Sequence, residues 1–308
     1  MSKLTLACGL ALTLAIWAYA PGASAQKIVR DPTAPATALP PPPRPAAAPV
    51  PAKLPQLSVS QIVDKNVAAR GGLSAWRAIQ SMSISGKIDA GGKKDTLLPY
   101  TLQVKRPNKQ RLAIDFAGLT SLQVFDGEHG WKLRPYLNRP DPEPFSPDEL
   151  RKATEAPDLD GLLIDYAAKG SKVELEGTEM IDNQGTYRLK VTTRHGHAQH
   201  VWIDGSSFLE AKIEANPRRF DGKMRNVASY PRDYRSVQGV MMPFVAETRI
   251  EGVRGGHNMT IEKVVMNEKI DDSAFAKPPS LTAAAMQKSP RMVTLPAAGP
   301  ATSSPQPP

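Results

Sequence analysis

Residues 100–116 contain two runs whose polarity alternates with period two, and this alternation restricts the fold more than any other feature of the chain. Tyr100, Leu102 and Val104 alternate with Thr101, Gln103 and Lys105; after Arg106-Pro107-Asn108-Lys109, Leu112, Ile114 and Phe116 oppose Arg111, Ala113 and Asp115. A helix would scatter such apolar residues around its axis, whereas a strand sends every second side chain to one face. Pro107 cannot donate to a central ladder but suits a reversal, so the two runs read as an antiparallel hairpin. Asp126-Gly127 marks a second tight turn, which delivers Trp131 and Leu133 into the next strand. The expectation is a curved sheet with one apolar face.

The pattern continues along the chain. Met82, Ile84, Gly86 and Ile88 alternate, as do Tyr187, Leu189 and Val191, then Val201 and Ile203, then Leu209, Ala211 and Ile213. Turn residues at 89–92, 182–185 and 204–205 punctuate them, and less regular extended segments follow around 230–237, 245–251 and 258–266. Connections this short cannot be crossovers, so the sheet should be antiparallel and curl towards a barrel. Helices are few. Ser58 and Gln61 form a capping box ahead of the stripe Val59, Ile62, Val63 and Val67, with Gly71-Gly72 as the stop and a short turn carrying Trp76 after it. Prolines 135, 140, 142, 144 and 147 interrupt the strand pattern, and Ser146 with Glu149 caps a helix from Pro147 to about Glu155. Pro157 ends it. Asp158 can cap a further helix with Leu159, Leu162, Leu163 and Tyr166 on one side.

The ends differ in kind from this middle. Lys3, an uncharged apolar run over 4–20 and Ala23-Ser24-Ala25 before Gln26 read as an export signal at 1–25. Left uncleaved, the run is close to the ~17 residues at which a membrane anchor becomes feasible. Cys8, the only cysteine, lies inside it, so a cleaved chain has no disulfide, thiolate nucleophile or cysteine-bound metal. Residues 26–56 form a Pro/Ala-rich linker and 280–308 a disordered tail, which leaves 57–279 as one domain. The formal charge of +9 favours anionic surfaces, but the basic residues are scattered and no long basic run is interleaved with aromatics, so nucleic acid is not expected.

Searching for chemistry yields little. His195, His197 and His200 crowd one turn without a further ligand at a fixed offset, and a solvated turn explains them better than a metal. There is no nucleophile elbow, P-loop, dinucleotide fingerprint or H-E-x-x-H motif, so neither catalytic residues nor cofactors nor a metal are expected. Asp158 with Asp160, and Asp271-Asp272, read as helix-start acids. What remains is a surplus of apolar surface that something must cover. Each such side chain left facing water forgoes ~1.5–3 kcal/mol, so the short helices either seal a permanent core or close a lid over a ligand cavity. The pattern leaves both open.

The order of elements resembles the outer-membrane lipoprotein carriers, the LolA/LolB-like proteins, and the broader lipoprotein-sorting relatives. The resemblance is carried by Val67-Ala-Ala-Arg-Gly-Gly-Leu73 with Trp76 and Ile79, Val104-Lys-Arg-Pro-Asn108, Phe125-Asp-Gly-Glu-His-Gly-Trp131, Val201-Trp-Ile-Asp204, Tyr234-Arg-Ser-Val-Gln-Gly-Val240 with Pro243, and Ile270-Asp-Asp-Ser-Ala-Phe275. It implies a mainly β, incomplete antiparallel barrel with a helical lid, which holds acyl chains of a lipid or lipoprotein in the periplasm without catalysis. A delivery partner would be an envelope membrane protein. In the carriers an arginine of the V-K-R-P turn bonds to the lid and holds the cavity shut; the matching residue is Arg106. The implied pocket is Leu102, Val104, Leu112, Ile114, Phe116, Leu122, Val124, Trp131 and Leu133, with Leu159, Leu162, Leu163 and Tyr166 in the lid. The carriers themselves lack the Pro/Ala linker, the long tail and the Arg-Gly-Gly stretch, which belong to the broader relatives, and the lipobox cysteine of the membrane-anchored branch is missing. The rival expectation is an envelope interaction domain with a packed core that binds a protein or polymer partner.

Overall fold

A computed structural model describes residues 54–89, 97–116, 118–220, 222–253 and 256–282. The expected signal peptide, nearly all of the linker, most of the 89–92 turn and most of the tail lie outside these residues. Thirteen strands form one antiparallel sheet: β1 (Ser81–Asp89), β2 (Leu97–Lys105), β3 (Lys109–Phe116), β4 (Leu119–Phe125), β5 (Gly130–Arg134), β6 (Arg139–Pro144), β7 (Lys172–Ile181), β8 (Gln184–Thr192), β9 (Ala198–Asp204), β10 (Glu210–Phe220), β11 (Lys223–Val237), β12 (Val240–Ile250) and β13 (Gly256–Met266). The spatial order is β6-β5-β4-β3-β2-β1-β13-β12-β11-β10-β9-β8-β7. Two meanders, β1–β6 and β7–β13, are thus joined where the first strand pairs the last, Met82 facing Met266 and Ile88 facing Met259. The ladder shifts register at Ser85/Gly86, where a Cβ on Gly86 would stand 1.9 Å from the Thr260 oxygen, so the approach of β13 requires glycine.

The sheet is open, with β6 and β7 at its edges. The proline cluster that interrupts the alternation includes the edge strand β6, where Pro140, Pro142 and Pro144 are tolerated because an edge need not donate on both sides. The three less regular segments are long strands, β11 running for 15 residues and β12 and β13 for 11 each.

One face of the sheet is covered by α1 (Val59–Ala69), α2 (Leu73–Ala78) and the chain from 158 to 170. The Ser58–Gln61 capping box starts α1, whose Ile62 and Val63 pack with Tyr187, Leu189, Val191 and Ile203. Trp76 of α2 packs with Met82, Ile84, Leu102 and Met242 in a second cluster, and Val67 of α1 touches both. A third helix, α3 (Pro147–Thr154), is capped as expected by Ser146 and Glu149. The expected helix over 159–166 is instead a run of turns, with Gly161 at φ 84° and Asp165 at φ 54°. The reason lies in its contacts. Leu159 and Ile164 enter the Trp76 cluster while Leu162 and Leu163 enter the α1 cluster, a division that a single helical stripe cannot make.

The opposite face is partly covered too. Ile270 and Phe275 pack on Val124, and Asp272 accepts hydrogen bonds from Lys105 Nζ at 2.8 Å and Lys109 Nζ at 2.7 Å. These two lysines hold the Asp272 carboxyl down at about 2 against an ordinary 3.8. A carboxyl depressed in the folded state stabilises fully above its unfolded value and loses that contribution as pH falls towards its folded value. Asp272→Asn should therefore lower the urea midpoint at neutral pH, and the gap from wild type should close between about pH 4 and 2; a gap independent of pH would mean that the two lysines do not stabilise the fold through this charge.

Candidate functional site

The turn between β2 and β3 gathers the cover onto the sheet. Arg106 extends its guanidinium to the Asp158 carboxylate through Nη1 and to Asp160 Oδ2 through Nη2 at 2.8 Å. Its Nε donates to Ile79 O at 2.9 Å, which ties in the chain just after α2. Asn108 Nδ2 donates to the carbonyls of Ala153 and Thr154, at 3.2 and 3.3 Å, and so fills acceptors at the C-terminal end of α3. At its other end α3 is fixed by Lys132, whose Nζ lies 2.6–2.7 Å from both carboxylate oxygens of the buried Glu149. His197, on the turn between β8 and β9, reaches Glu155 at 2.7 Å. The start of the cover is thus held from two sides.

Asp160 is the centre of this arrangement, with its side chain only 2% exposed. Besides Arg106 it receives Lys169 Nζ, while its backbone oxygen accepts from Arg70 Nη1 at 3.0 Å. Arg70 closes α1 and also donates to Glu210 Oε1 at 3.3 Å, both side chains being 8% exposed. The Tyr234 hydroxyl lies 3.1 Å from both the backbone oxygen and Oε2 of Glu210. Burial, and then the charge of Glu210, push this phenol well above its ordinary value, so it is a neutral hydroxyl across the physiological range. Arg70 stacks 4.3 Å over the Trp76 ring, whose Nε1 donates back to Arg70 O at 2.9 Å. Gly71 makes this geometry possible: at φ 104° and with the Gly239 oxygen 2.2 Å from where a Cβ would be, no side chain fits.

Beneath the cover, Arg70, Leu162, Leu163, Glu210, Ile213 and Tyr234 are among the residues lining a cavity of about 30 Å³. That is room for about two water molecules and far less than the ~300 Å³ at which small-molecule pockets begin.

The expected pocket residues divide between the two faces. The β2–β3 register places Leu102 opposite Leu112 and Tyr100 opposite Ile114, so these and Val104 share the covered face. Phe116 packs edge-on against Tyr136 at 6.1 Å. In β4, however, Gln123 stands opposite Leu112, which sends Leu122 and Val124 to the other face, and Trp131 and Leu133 follow them through Val124↔Trp131 and Leu122↔Leu133. These four do not join Leu102 in one surface; Val124 and Leu122 belong to the cluster under Phe275. Leu159, Leu162, Leu163 and the half-buried Tyr166 do lie in the cover. Arg70, Glu210 and Tyr234 were not among the expected site residues, although Arg70 and Tyr234 fall in stretches that carry the resemblance. Of the three clustered histidines, His200 sits between Glu176 at 3.1 Å and Glu214 at 2.5 Å, away from His197 and its Glu155. Among the described residues no group of three or more ligating side chains could hold a metal ion.

Fold and site together define a mainly β protein whose open antiparallel sheet is covered on one apolar face by short helices and a segment fastened through buried charges. No protein-family model and no curated protein sequence matches the chain. Among solved structures, a LolA superfamily protein from Nitrosomonas europaea aligns at 16% identity and TM-score 0.47, over 72% of this chain and 99% of that one. A domain assigned to outer membrane lipoprotein sorting from Vibrio parahaemolyticus aligns at 13% identity and TM-score 0.46, over 70% of this chain and 95% of that one. A DUF1329 family protein from Desulfovibrio piger aligns at 14% identity and TM-score 0.47, over 71% and 97%.

Replacing Arg106 by leucine leaves the buried Asp160 with Lys169 alone and Asp158 without its guanidinium. Removing one partner of a buried charge group costs of order 3 kcal/mol. Amide exchange of residues 157–170 should accelerate in Arg106→Leu while β8–β10 stay protected; uniform acceleration throughout would show that Arg106 supports the whole fold rather than the cover.

Proposed function

We propose that this protein is an exported periplasmic carrier or sensor that accepts an acyl chain against the covered face of its sheet once the 158–170 segment moves aside, and that it catalyses no reaction. The observation that carries this reading is the manner of closure: an apolar face is shut by a segment without helical structure, whose start is held by Arg106 and Arg70. A permanent core gains nothing from such fastenings, because well-packed apolar residues in place of a buried ion pair are often neutral or stabilising. Polar fastenings suit an element that must let go, since even a hydrogen bond to a charged group is worth only ~1.5–3 kcal/mol net once water can replace it. Leu159, Leu162, Leu163 and Ile164 cover the face with branched aliphatic groups, and an acyl chain could replace them at ~0.8 kcal/mol for each buried CH₂. Exchange of cover for cargo would then be close to balanced. Lys3 followed by the apolar run over 4–20 supports export.

The small cavity favours the second reading, an envelope interaction domain whose core stays packed and whose edge or basic face binds a protein or polymer. Purification under native conditions, then solvent extraction and mass spectrometry, separates the two. The carrier reading expects about one acyl chain per protein and uptake of a fluorescent fatty acid, faster in Arg106→Leu than in wild type. Neither co-purifying lipid nor uptake by either protein would sink it, and capture of a protein or polymer partner by the lipid-free protein would then establish the second reading.

A further inference from the structure

We propose that the cluster of Arg70, Glu210 and Tyr234 under the cover is an anion site for the head of the cargo, and that Asp160 occupies its place while the cover is closed. This rests on the carrier reading and narrows it to single-chain amphiphiles with a carboxylate or phosphate head.

Charged groups are out of place on an apolar face. Arg70 and Glu210 are nearly sealed from solvent, yet they line a cavity beside Leu162, Leu163 and Ile213. Their mutual contact is loose at 3.3 Å, and Glu210 is better served by the Tyr234 hydroxyl at 3.1 Å. Both bonds of the Arg70 fork are made by Nη1, to Asp160 O and Glu210 Oε1, and among the described residues no acceptor takes hydrogens from Nε or Nη2. The Arg70 guanidinium thus carries donors that no protein acceptor takes, next to a space in which water can reach them. A carboxylate or phosphate is the group whose paired oxygens match such a fork.

The second half of the argument is Asp160. It bonds to Arg70 through its backbone and to Arg106 through its carboxylate, and Lys169 reaches it as well. Three cations meet at one residue of the cover. When the cover leaves, Asp160 leaves with it, and Arg70 and Arg106 lose their shared acceptor at the moment the apolar face becomes available. A cargo with an acidic head restores that partner while its tail takes the place of Leu159, Leu162 and Leu163. A cargo with a neutral head leaves Arg106 without a carboxylate and Arg70 with the loose contact to Glu210 alone.

The test is competition against N-phenylnaphthylamine, an uncharged fluorescent probe, using dodecanoate, dodecyl phosphate and dodecanol as ligands of equal chain length. In the wild type the two anions should displace the probe at concentrations lower than dodecanol by about tenfold or more. Inorganic phosphate alone should not displace it. Arg70→Met with Glu210→Gln removes the pair together and leaves no unpaired buried charge, and in this variant the ratio of anion to alcohol should fall to within about twofold. A ratio taken within one protein is insensitive to general loss of affinity, and the wild-type ratio stands even where the variant fails to fold. Equal displacement by dodecanol and dodecanoate in the wild type, or a ratio that survives in the double variant, overturns the anion site and leaves the carrier reading intact. Displacement by inorganic phosphate at the same concentrations assigns the site to a free anion and overturns the amphiphile. If the probe binds neither wild type nor Arg106→Leu, and no ligand binds directly by calorimetry, the carrier reading fails and the site with it.

Discussion

Arg106 is the interaction on which the attachment of the cover to the sheet depends. A hairpin turn belongs to the sheet, and most turns serve only to reverse the chain. This one places a planar fork of donors where the end of α2 and the start of the cover converge, and neighbouring residues extend its reach: Asn108 to the end of α3, Lys105 and Lys109 to Asp272 on the opposite face. Four of the five residues 105–109 therefore connect the hairpin to α2, α3, the cover and the 272 segment. Lysine could not replace Arg106, since a single ammonium cannot be divided between two carboxylates and a carbonyl in fixed directions.

The energetic character of the cover follows from two kinds of contact that respond differently to change. The apolar contacts between the 159–164 residues and the sheet are non-directional, and any aliphatic surface of similar area can take their place. Contacts at Asp158 and Asp160 are directional and charged, so they either exist in full or leave ions unpaired. A closure that combines them has a sharp fastening over a tolerant surface. The division of Leu159 and Ile164 from Leu162 and Leu163 between two clusters makes the cover one piece across both meanders, so its release would free the two apolar regions together.

Much of the sheet could be read from residue alternation, because Tyr100, Leu102 and Val104 have only one covered face to turn to. The implied pocket breaks down at β4. Val124 and Phe125 are adjacent and both 2% exposed, which is possible only for a strand covered on both sides; no alternation exists there to read, and Trp131 and Leu133 inherited the wrong face through the register. The cover was legible as an apolar interruption but not as turns, since Gly161 and Asp165 take positive φ values that its spacing of leucines does not reveal. Arg70 was hidden for a different reason. An arginine closing a helix is ordinary, and its partners Asp160 and Glu210 lie 90 and 140 residues along the chain. Capping boxes, by contrast, are complete within four residues, and both were read correctly at Ser58 and Ser146.

The pairing of β1 with β13 sets the order in which such a molecule can come into being. Each meander can zip from neighbour to neighbour, but the seam between them must wait for residues 256–266, almost the last of the sheet to emerge. Until then β1 shows a bare edge and Ile84 and Ile88 lack the strand that buries them. Loop closure over so long a stretch is slow, and chains held in that state are prone to join with one another. A protein whose seam forms last stays a pair of unfinished halves through nearly all of its synthesis.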